Sequence, residues 1–241
     1  MQFLNLENIR KSTDDVEYHP LKPFLPENCK VLFLGSFPPP RNRWCMDFFY
    51  PNFINDHWRI EGLLFFQDKD HFVDAANKTF RLPEIVRFLT EKGIGFFDTA
   101  TAVRRLKGNA SDDFLEVVEP TDLPSLLRQV PQCHVVVTTG EKATRTLCER
   151  LHIPEIPKVG HYSLIPTTAA SFTADAYAAA SGTASVAATV DAVSEADVPA
   201  IAAIPEGLTL YRLPSSSRAY PLSLEKKTEA YREMFRFAGM L

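Results

Sequence analysis

Four short apolar runs, each followed by a polar loop, constrain the fold of this chain more than any other feature. They are Lys30–Leu34, Ile94–Phe97, His134–Thr139 and Thr209–Leu213. Continuous apolar runs of this length are typical of strands that are buried on both faces of a parallel sheet. Because segments with a helical pattern separate the runs, the sequence predicts an α/β fold.

The predicted helices lie between and after these strands. Gly93 follows the second helix as a C-terminal cap, and Ser223 precedes the last helix as an N-cap. The helices are predicted at Asp56–Phe66, Pro83–Lys92, Leu123–Gln129, Glu141–Leu151 and about 223–237. We therefore predict a three-layer α/β/α architecture around a central, mostly parallel four-stranded sheet, with residues 1–241 forming a single domain.

The segment Thr167–Ala203 differs from the rest of the chain in composition. Ala, Ser, Thr and Val dominate it, and no Lys or Arg occurs between Lys158 and Arg212. Such a composition buries little apolar surface per ordered residue, which favours a flexible, low-complexity insertion. An Ala-rich helix is the alternative, which Gly182 and the Thr and Val content disfavour. We predict no chemistry for this segment.

Composition excludes several classes of protein. No run of about 18 apolar residues predicts a membrane span, and the first residues lack a secretory signal, so we expect a cytoplasmic protein. The four cysteines form no C-x-x-C pair, so no metal or cofactor is expected. With a net charge of −4, the chain would need a local basic patch to bind DNA.

Three loops that follow predicted strands carry the candidate site, because ligands of open α/β sheets bind beyond the carboxyl ends of the strands. The first begins Gly35-Ser36-Phe37. Glycine allows a ligand to approach the backbone closely, so we predict that these three residues contact the ligand. An ordinary turn is the alternative. Asp98 follows the second strand, and we predict a general base or water-positioning residue there, with loop capping as the alternative.

The loop after Gly35 is rich in aromatic and amide side chains. A planar heterocycle needs an aromatic face to stack on and amide groups that read its edge. We predict these roles for Tyr50 and Asn55. For Phe48, Phe53 and Trp58 a place in the core is the better interpretation.

The third loop is Leu213–Tyr220, which contains three consecutive serines. Hydroxyl and backbone N–H groups can bind phosphates, and arginine adds positive charge. A polar turn with local serine caps is the alternative. Arg41 and Arg43 are predicted phosphate contacts too, with solvated charge as the alternative, whereas His57 and His161 are interpreted as structural or surface residues. The predicted DNA-binding residues are Ser215, Ser216, Ser217, Arg218, Tyr220, Arg41 and Arg43.

Together these motifs resemble the uracil-DNA glycosylase superfamily. The segment Leu-Pro-Ser-Ser-Ser-Arg and the tail SLEKKTEAYREMF are similar to the mismatch-specific thymine/uracil branch. Residues Phe49 to Trp58 resemble the Y-Y-G-H-P-R-N-A-F-W pattern of the hypoxanthine-DNA glycosylase branch. The resemblance covers most of the chain, apart from roughly residues 1–25 and the Ala-rich insertion.

The resemblance implies roles for individual residues. Tyr50 matches the base-stacking aromatic residue and Asn55 matches the asparagine of the hypoxanthine pattern. The ligand of Gly35, Ser36 and Phe37 would accordingly be a base. Phe37 stands where most members carry an Asn or Asp that positions water. The hypoxanthine branch lacks that polar residue too, which makes Asn55 the leading catalytic candidate. The family's wedge position falls on Ala219, which is too small to fill a base-sized hole, so Arg218 or Tyr220 would occupy or support the gap.

The resemblance also implies an activity. A monofunctional DNA glycosylase of base-excision repair would hydrolyse the N-glycosidic bond of a flipped, deaminated base, either hypoxanthine or uracil. It would need no lysine nucleophile and no cofactor. The expected partner is DNA that contains a damaged or mismatched base, with no membrane and no obligate protein partner.

Two other classes of protein remain open at this stage. One is a catalytically silent module that binds damaged or single-stranded DNA, which Phe37 favours and Asn55 disfavours. The other is a nucleotide-binding α/β protein, which the absence of G-x-G-x-x-G and G-x-x-x-x-G-K-[ST] motifs makes the weaker alternative.

Overall fold

The structure is a computed structural model that describes residues 16–107, 112–165 and 204–241. Its strands are β1 (Val16–Tyr18), β2 (Val31–Gly35), β3 (Val73–Asp74), β4 (Thr79–Phe80), β5 (Ile94–Asp98), β6 (Ala100–Arg105), β7 (Leu115–Pro120), β8 (Val135–Thr139), β9 (Tyr162–Leu164) and β10 (Thr209–Leu213). Its helices are α1 (His57–Phe66), α2 (Leu82–Lys92), α3 (Leu123–Gln129), α4 (Glu141–Arg150) and α5 (Leu224–Phe237). Two 3₁₀ turns lie at Arg41–Arg43 and Asp112–Phe114.

The central sheet has five strands in the order β5-β2-β8-β10-β9. Strands β5, β2, β8 and β10 are parallel, and β9 pairs with β10 in the antiparallel direction. The predicted number of four strands is therefore wrong. Strand β9 was missed because it is three residues long, with Tyr162 and Leu164 exposed, and so shows no apolar run.

The predicted strands and helices of the described residues are otherwise present, with ends that move by one residue at most. Gly93 ends α2 in the left-handed conformation at a φ of 73°, which glycine adopts without steric cost. Ser223 caps α5, since its side chain accepts a hydrogen bond from the Lys226 N–H. Local sequence signals therefore determine where these helices begin and end.

Helices cover both faces of the central sheet. On one face the Phe33 ring of β2 packs against Tyr231 and Phe235 of α5, and against His57 of α1. On the opposite face the Thr138 hydroxyl of β8 shares a 2.8 Å hydrogen bond with Thr144 of α4. This arrangement is the predicted three-layer architecture.

A second, antiparallel sheet with the order β1-β6-β7 was not predicted. Strand β6 follows β5 after a single residue, Thr99, and β1 pairs with β6 in the register Tyr18↔Ala102. The chain leaving β1 is held there, since the His19 N–H donates to the Thr101 carbonyl at 2.8 Å. This pairing brings the start of the described chain to the carboxyl end of β5.

The predicted insertion at about 167–203 lies outside the described residues. Among the helices that the structure describes, none combines the length and the apolar character that a membrane crossing requires.

Candidate functional site

A cavity of about 200 Å³ lies where the parallel strands of the central sheet end. Its lining includes Gly35 from the end of β2, Asp98 from the end of β5, Thr139 from the end of β8 and Ser215 just beyond β10. Each parallel strand therefore contributes to one pocket, as expected for an open α/β sheet.

The pocket brings most of the predicted site residues together. The predicted residues that line it are Gly35, Ser36, Phe37, Arg43, Tyr50, Asn55, Asp98, Ser215, Ser216 and Ser217. Arg41, Arg218 and Tyr220 are not part of the lining. The two histidines that were considered lie elsewhere: His57 is buried in the core, and His161 is exposed away from the pocket.

Gly35 makes room for the carboxyl group of Asp98. The two residues are paired across β2 and β5, and a β-carbon on residue 35 would lie 2.3 Å from Asp98 Oδ1. No heavy-atom contact of that length is sterically allowed, so any larger residue would displace the carboxyl group. The position of the Asp98 carboxyl group therefore requires glycine at residue 35. This requirement was not apparent from the sequence.

Asp98 is also bound to a histidine that the sequence analysis missed. His19 Nε2 lies 2.8 Å from Asp98 Oδ2, and His19 Nδ1 lies 2.9 Å from the Leu21 carbonyl oxygen. Both side chains are nearly buried, at 3% exposure for His19 and 10% for Asp98. The hydrogen bond fixes one carboxyl oxygen, while Oδ1 is the oxygen beside Gly35. No local pattern marks His19, because only the β1–β6 pairing brings it to this site.

Tyr50 forms part of the pocket wall with one ring face covered. Its ring stacks on His57 at a centroid distance of 3.9 Å, and its hydroxyl shares a 2.8 Å hydrogen bond with Thr139. Burial raises the pKa of the Tyr50 phenol far above its ordinary value, so the hydroxyl stays protonated. Tyr50 also has a φ of 49°, an uncommon conformation for a side chain of this size. Only the ring face opposite His57 is available to a ligand.

Asn55 is oriented by the start of helix α1. Its Oδ1 accepts a 2.9 Å hydrogen bond from the His57 N–H, and its own N–H donates to the Asn52 carbonyl at 2.8 Å. The side-chain amide nitrogen makes no hydrogen bond to another described residue. Asn55 therefore offers the pocket a donor, with its acceptor already engaged.

Ser36 and Phe37 are held by neighbouring residues. The Ser36 hydroxyl donates to Asp112 Oδ1 at 2.8 Å. Phe37 is 9% exposed and packs in a small apolar cluster with Val103 and Leu115. The Phe37 ring therefore serves mainly as a wall between this cluster and the pocket.

The serine loop, residues 215–217, is attached to the start of α1 by a buried ion pair. Lys227 of α5 is 1% exposed, and its Nζ lies 3.0 Å from Asp56 Oδ2 and 2.7 Å from the Ser217 carbonyl oxygen. The Asp56 N–H donates to the Ser216 carbonyl at 3.0 Å. Neither Asp56 nor Lys227 was singled out by the sequence, since each resembles an ordinary charged surface residue of a helix.

Within the serine loop, hydroxyl groups also cap the backbone locally. Ser215 Oγ accepts from the Ser217 N–H at 3.2 Å, and Ser217 Oγ accepts from the Ala219 N–H at 3.2 Å. The serine loop is therefore a polar turn with local serine caps, which was the alternative interpretation of this segment. Such a turn is compatible with the loop's position on the pocket wall.

The predicted basic residues differ in their availability. Arg43 is exposed, lines the pocket and forms no ion pair with another described residue. Arg41 instead forms an ion pair with Asp47 and lies over the Trp44 ring at 4.0 Å. Arg218 Nε binds Asp56 Oδ1 at 3.0 Å. The available positive charge at the pocket therefore comes from Arg43.

No cluster suited to a metal ion occurs within residues 16–107, 112–165 and 204–241. The four cysteines are free, and three of them are buried. The polar groups that line the pocket are carboxyl, amide, phenol, hydroxyl and guanidinium groups, and the His19 imidazole binds one of the carboxyl groups.

Comparison with solved structures finds a likeness in fold. No protein-family model matches the chain, and no curated protein matches it. A solution NMR structure of a "putative Uracil DNA glycosylase" from Methanosarcina acetivorans is similar at 19% identity and a TM-score of 0.49, over 92% of this chain and 99% of that one.

Proposed function

We propose that this chain is a monofunctional DNA glycosylase of the uracil-DNA glycosylase type. It would bind a deaminated base, hypoxanthine or uracil, after that base leaves the DNA stack, and hydrolyse its N-glycosidic bond. The observation that carries the proposal is the composition of one pocket. A buried carboxyl–imidazole pair, an aromatic ring and a free amide donor surround it, and the serine loop forms its remaining wall.

The size of the pocket supports a ligand no larger than a single base. Pockets for drug-sized ligands and cofactors occupy about 300–1,000 Å³, whereas this cavity measures about 200 Å³. An enzyme that acts on a base in duplex DNA must extrude the nucleotide into such a pocket. Tyr50 supplies one aromatic face for the extruded base.

The proposed chemistry divides the work between Asn55 and Asp98. The Asn55 amide nitrogen donates to the carbonyl oxygen of the base, where negative charge develops as the C1′–N bond breaks. Asp98 Oδ1 orients a water molecule, accepts its proton and stabilises the oxocarbenium-like sugar. The water oxygen bonds to C1′, and the base leaves with the electrons of the broken bond. His19 holds the other carboxyl oxygen, so it positions the group that acts on water.

DNA phosphates would contact the rim of the pocket. Arg43 and the serine loop both border the cavity and offer charged and hydroxyl donors. Such contacts fix the position of the protein on the duplex without reading sequence. A small basic rim is also consistent with an overall net charge of −4.

The experiment is an excision assay with a panel of lesions. Labelled oligonucleotides that carry uracil, hypoxanthine, a thymine mismatch or only normal bases are incubated with the protein and then treated with alkali. We expect cleavage at one deaminated base and none at normal bases. Asn77→Ala is the matched control for Asn55→Ala, because Asn77 lies on an exposed turn bound to Asp74.

One observation favours a second candidate, a silent module that recognises damaged DNA. Phe37 replaces the polar residue expected at its position, and its ring is packed against Val103 and Leu115. If DNA is bound while no lesion is cleaved, this second function replaces the first. If DNA is neither bound nor cleaved, both are wrong.

A further inference from the structure

Ile54 is an exposed apolar side chain between two residues of the pocket. It is 56% exposed, and Asn52 and Asn55, which lie on either side of it in sequence, both line the cavity. Single exposed apolar residues are common on protein surfaces and need no explanation by themselves. What distinguishes Ile54 is how firmly the backbone around it is held.

Three hydrogen bonds shape the turn that carries Ile54. The Ile54 N–H donates to Asn52 Oδ1 at 3.2 Å, and the Asn55 N–H donates to the Asn52 carbonyl at 2.8 Å. The Asn55 side chain is in turn fixed to α1 through the His57 N–H. The first bond closes an Asx turn and the second closes a β-turn over Asn52–Asn55, in which Ile54 is the third residue.

A buried arginine also donates hydrogen bonds to the backbone of this turn. Arg59 is 8% exposed, and its Nη1 donates to the Phe53 carbonyl at 2.9 Å and to the Asn55 carbonyl at 3.0 Å. The two carbonyls flank Ile54 on either side. The backbone on both sides of Ile54 is therefore fixed by a buried arginine. The Ile54 side chain stays exposed at a defined position, where a partner can contact it.

The serine side of the pocket lacks a residue of this kind. Ala219 is small, and the Arg218 guanidinium is held by Asp56 at 3.0 Å. Tyr220 is half-buried and does not line the pocket. An extruded nucleotide leaves a gap in the base stack, and apolar side chains such as isoleucine are used by DNA-bending proteins to enter such gaps.

We propose that Ile54 enters the duplex beside the extruded nucleotide and keeps the gap open. This inference rests on the proposed function. Insertion removes the exposed side chain from water and replaces part of the stacking lost when the base leaves. The turn would thereby combine two roles on adjacent residues, with Ile54 in the duplex and Asn55 on the extruded base.

The test compares Ile54→Ala with Leu164→Ala. Leu164 is a matched control, since it is 45% exposed on β9 and pairs with Thr209 at the end of β10 remote from the pocket. Each protein is mixed with a duplex that carries 2-aminopurine next to the lesion, and the rise in fluorescence reports unstacking. Excision is measured on the same lesion in duplex and in single-stranded DNA.

We expect Ile54→Ala to lose most of the fluorescence rise and roughly tenfold in duplex excision, because the gap can close. Excision from single strands should remain, since no stack has to be opened, and Ile54→Leu should restore duplex excision. Leu164→Ala should behave as the parent protein. Equal fluorescence and duplex excision in Ile54→Ala and the parent would overturn the role of Ile54 while leaving the proposed function intact.

The fluorescence measurement distinguishes a failure of this inference from a failure of the proposed function. A parent protein that unstacks the duplex but excises no base would overturn the glycosylase activity, and loss of that signal in Ile54→Ala would still support the wedge. A parent protein that produces no fluorescence rise on any lesion duplex overturns the wedge. Because Ile54 is exposed, its substitution leaves the core unchanged.

Discussion

The imidazole of His19 and the carboxyl group of Asp98 share a 2.8 Å hydrogen bond at the wall of the pocket, although they lie 79 positions apart in sequence. The bond leaves Asp98 Oδ1 beside Gly35, where a β-carbon would lie 2.3 Å away. A carboxyl group fixed in this way on one side can act on a water molecule on the other.

Asp98→Asn should slow base excision because an amide cannot accept the proton of the attacking water. We expect a loss of about 10²–10⁴-fold in single-turnover rate, the range that general-base catalysis contributes. His19→Gln should cost less, since the carboxylate remains but loses its fixed orientation. His134→Gln is the control, as His134 lies just before β8 at the end of the sheet remote from the pocket. An unchanged rate in Asp98→Asn would remove Asp98 from the mechanism.

Lys227→Met should destabilise the fold and loosen the serine loop. Removing the ammonium leaves the Asp56 carboxylate, itself 8% exposed, with Arg218 as its remaining ionic partner. Breaking a buried ion pair costs about 3–5 kcal/mol, and we expect a value near the lower end because Arg218 remains. Urea unfolding measures the free energy of unfolding. The double variant with Asp56→Asn should recover part of the loss, and additive effects would contradict a direct pairing.

Arg43→Ala should weaken DNA binding and reduce its dependence on salt. Each neutralised phosphate contributes close to one unit to the slope of log affinity against log salt concentration, so we expect that slope to fall by about one. Arg41→Ala is the matched control, because Arg41 is already paired with Asp47. If Arg43→Ala and Arg41→Ala had the same salt slope, the position of Arg43 at the pocket would not make it a phosphate contact.

Stability should fall between about pH 6.5 and pH 8 because of a buried carboxyl group. Burial raises the pKa of Glu61 from 4.5 to about 8 and lowers the pKa of its neighbour His57 from 6.5 to about 3. The folded chain keeps the Glu61 proton that the unfolded chain releases above pH 4.5, so rising pH favours unfolding until pH 8. Between pH 4.5 and 6.5 the neutral His57 has the opposite effect and offsets this loss.

Glu61→Gln tests this interpretation. The difference between a pKa of about 8 and one of 4.5 corresponds to a cost on the order of 5 kcal/mol above pH 8. The variant should therefore lose the decline between pH 6.5 and 8 in urea unfolding measured across that range. Glu84→Gln is the control, because the Glu84 side chain in the first turn of α2 is 38% exposed. A decline of the same size in Glu61→Gln would assign the pH dependence to other groups.

Much of the central layer could be predicted because its signals are local. Apolar runs identify β2, β5, β8 and β10, and the caps at Gly93 and Ser223 mark two helix ends. Strand β9 escaped prediction because it is short and largely exposed, and its place at the sheet edge depends on backbone pairing with β10. The same reason applies to β1, which gains its structure by pairing with β6.

The pocket shows the same division between local and long-range information. Tyr50 and Asn55 were recognisable because aromatic and amide side chains cluster along one loop of the sequence. His19 and Lys227 were not, because their roles come from contacts with residues 79 and 171 positions away. The orientation of Asn55, with its acceptor engaged by α1, also required the folded backbone.

The most direct test of the account is to measure free base released from DNA by the protein and by Asn55→Ala, with duplex affinity measured in parallel. Asn55 donates from its side-chain amide into the pocket, so its loss should remove stabilisation of the leaving base while phosphate contacts remain. We predict that the protein releases hypoxanthine or uracil, and that Asn55→Ala releases almost none at nearly unchanged affinity. Release of base by Asn55→Ala at the parent rate, or no release by the parent protein, would contradict the account.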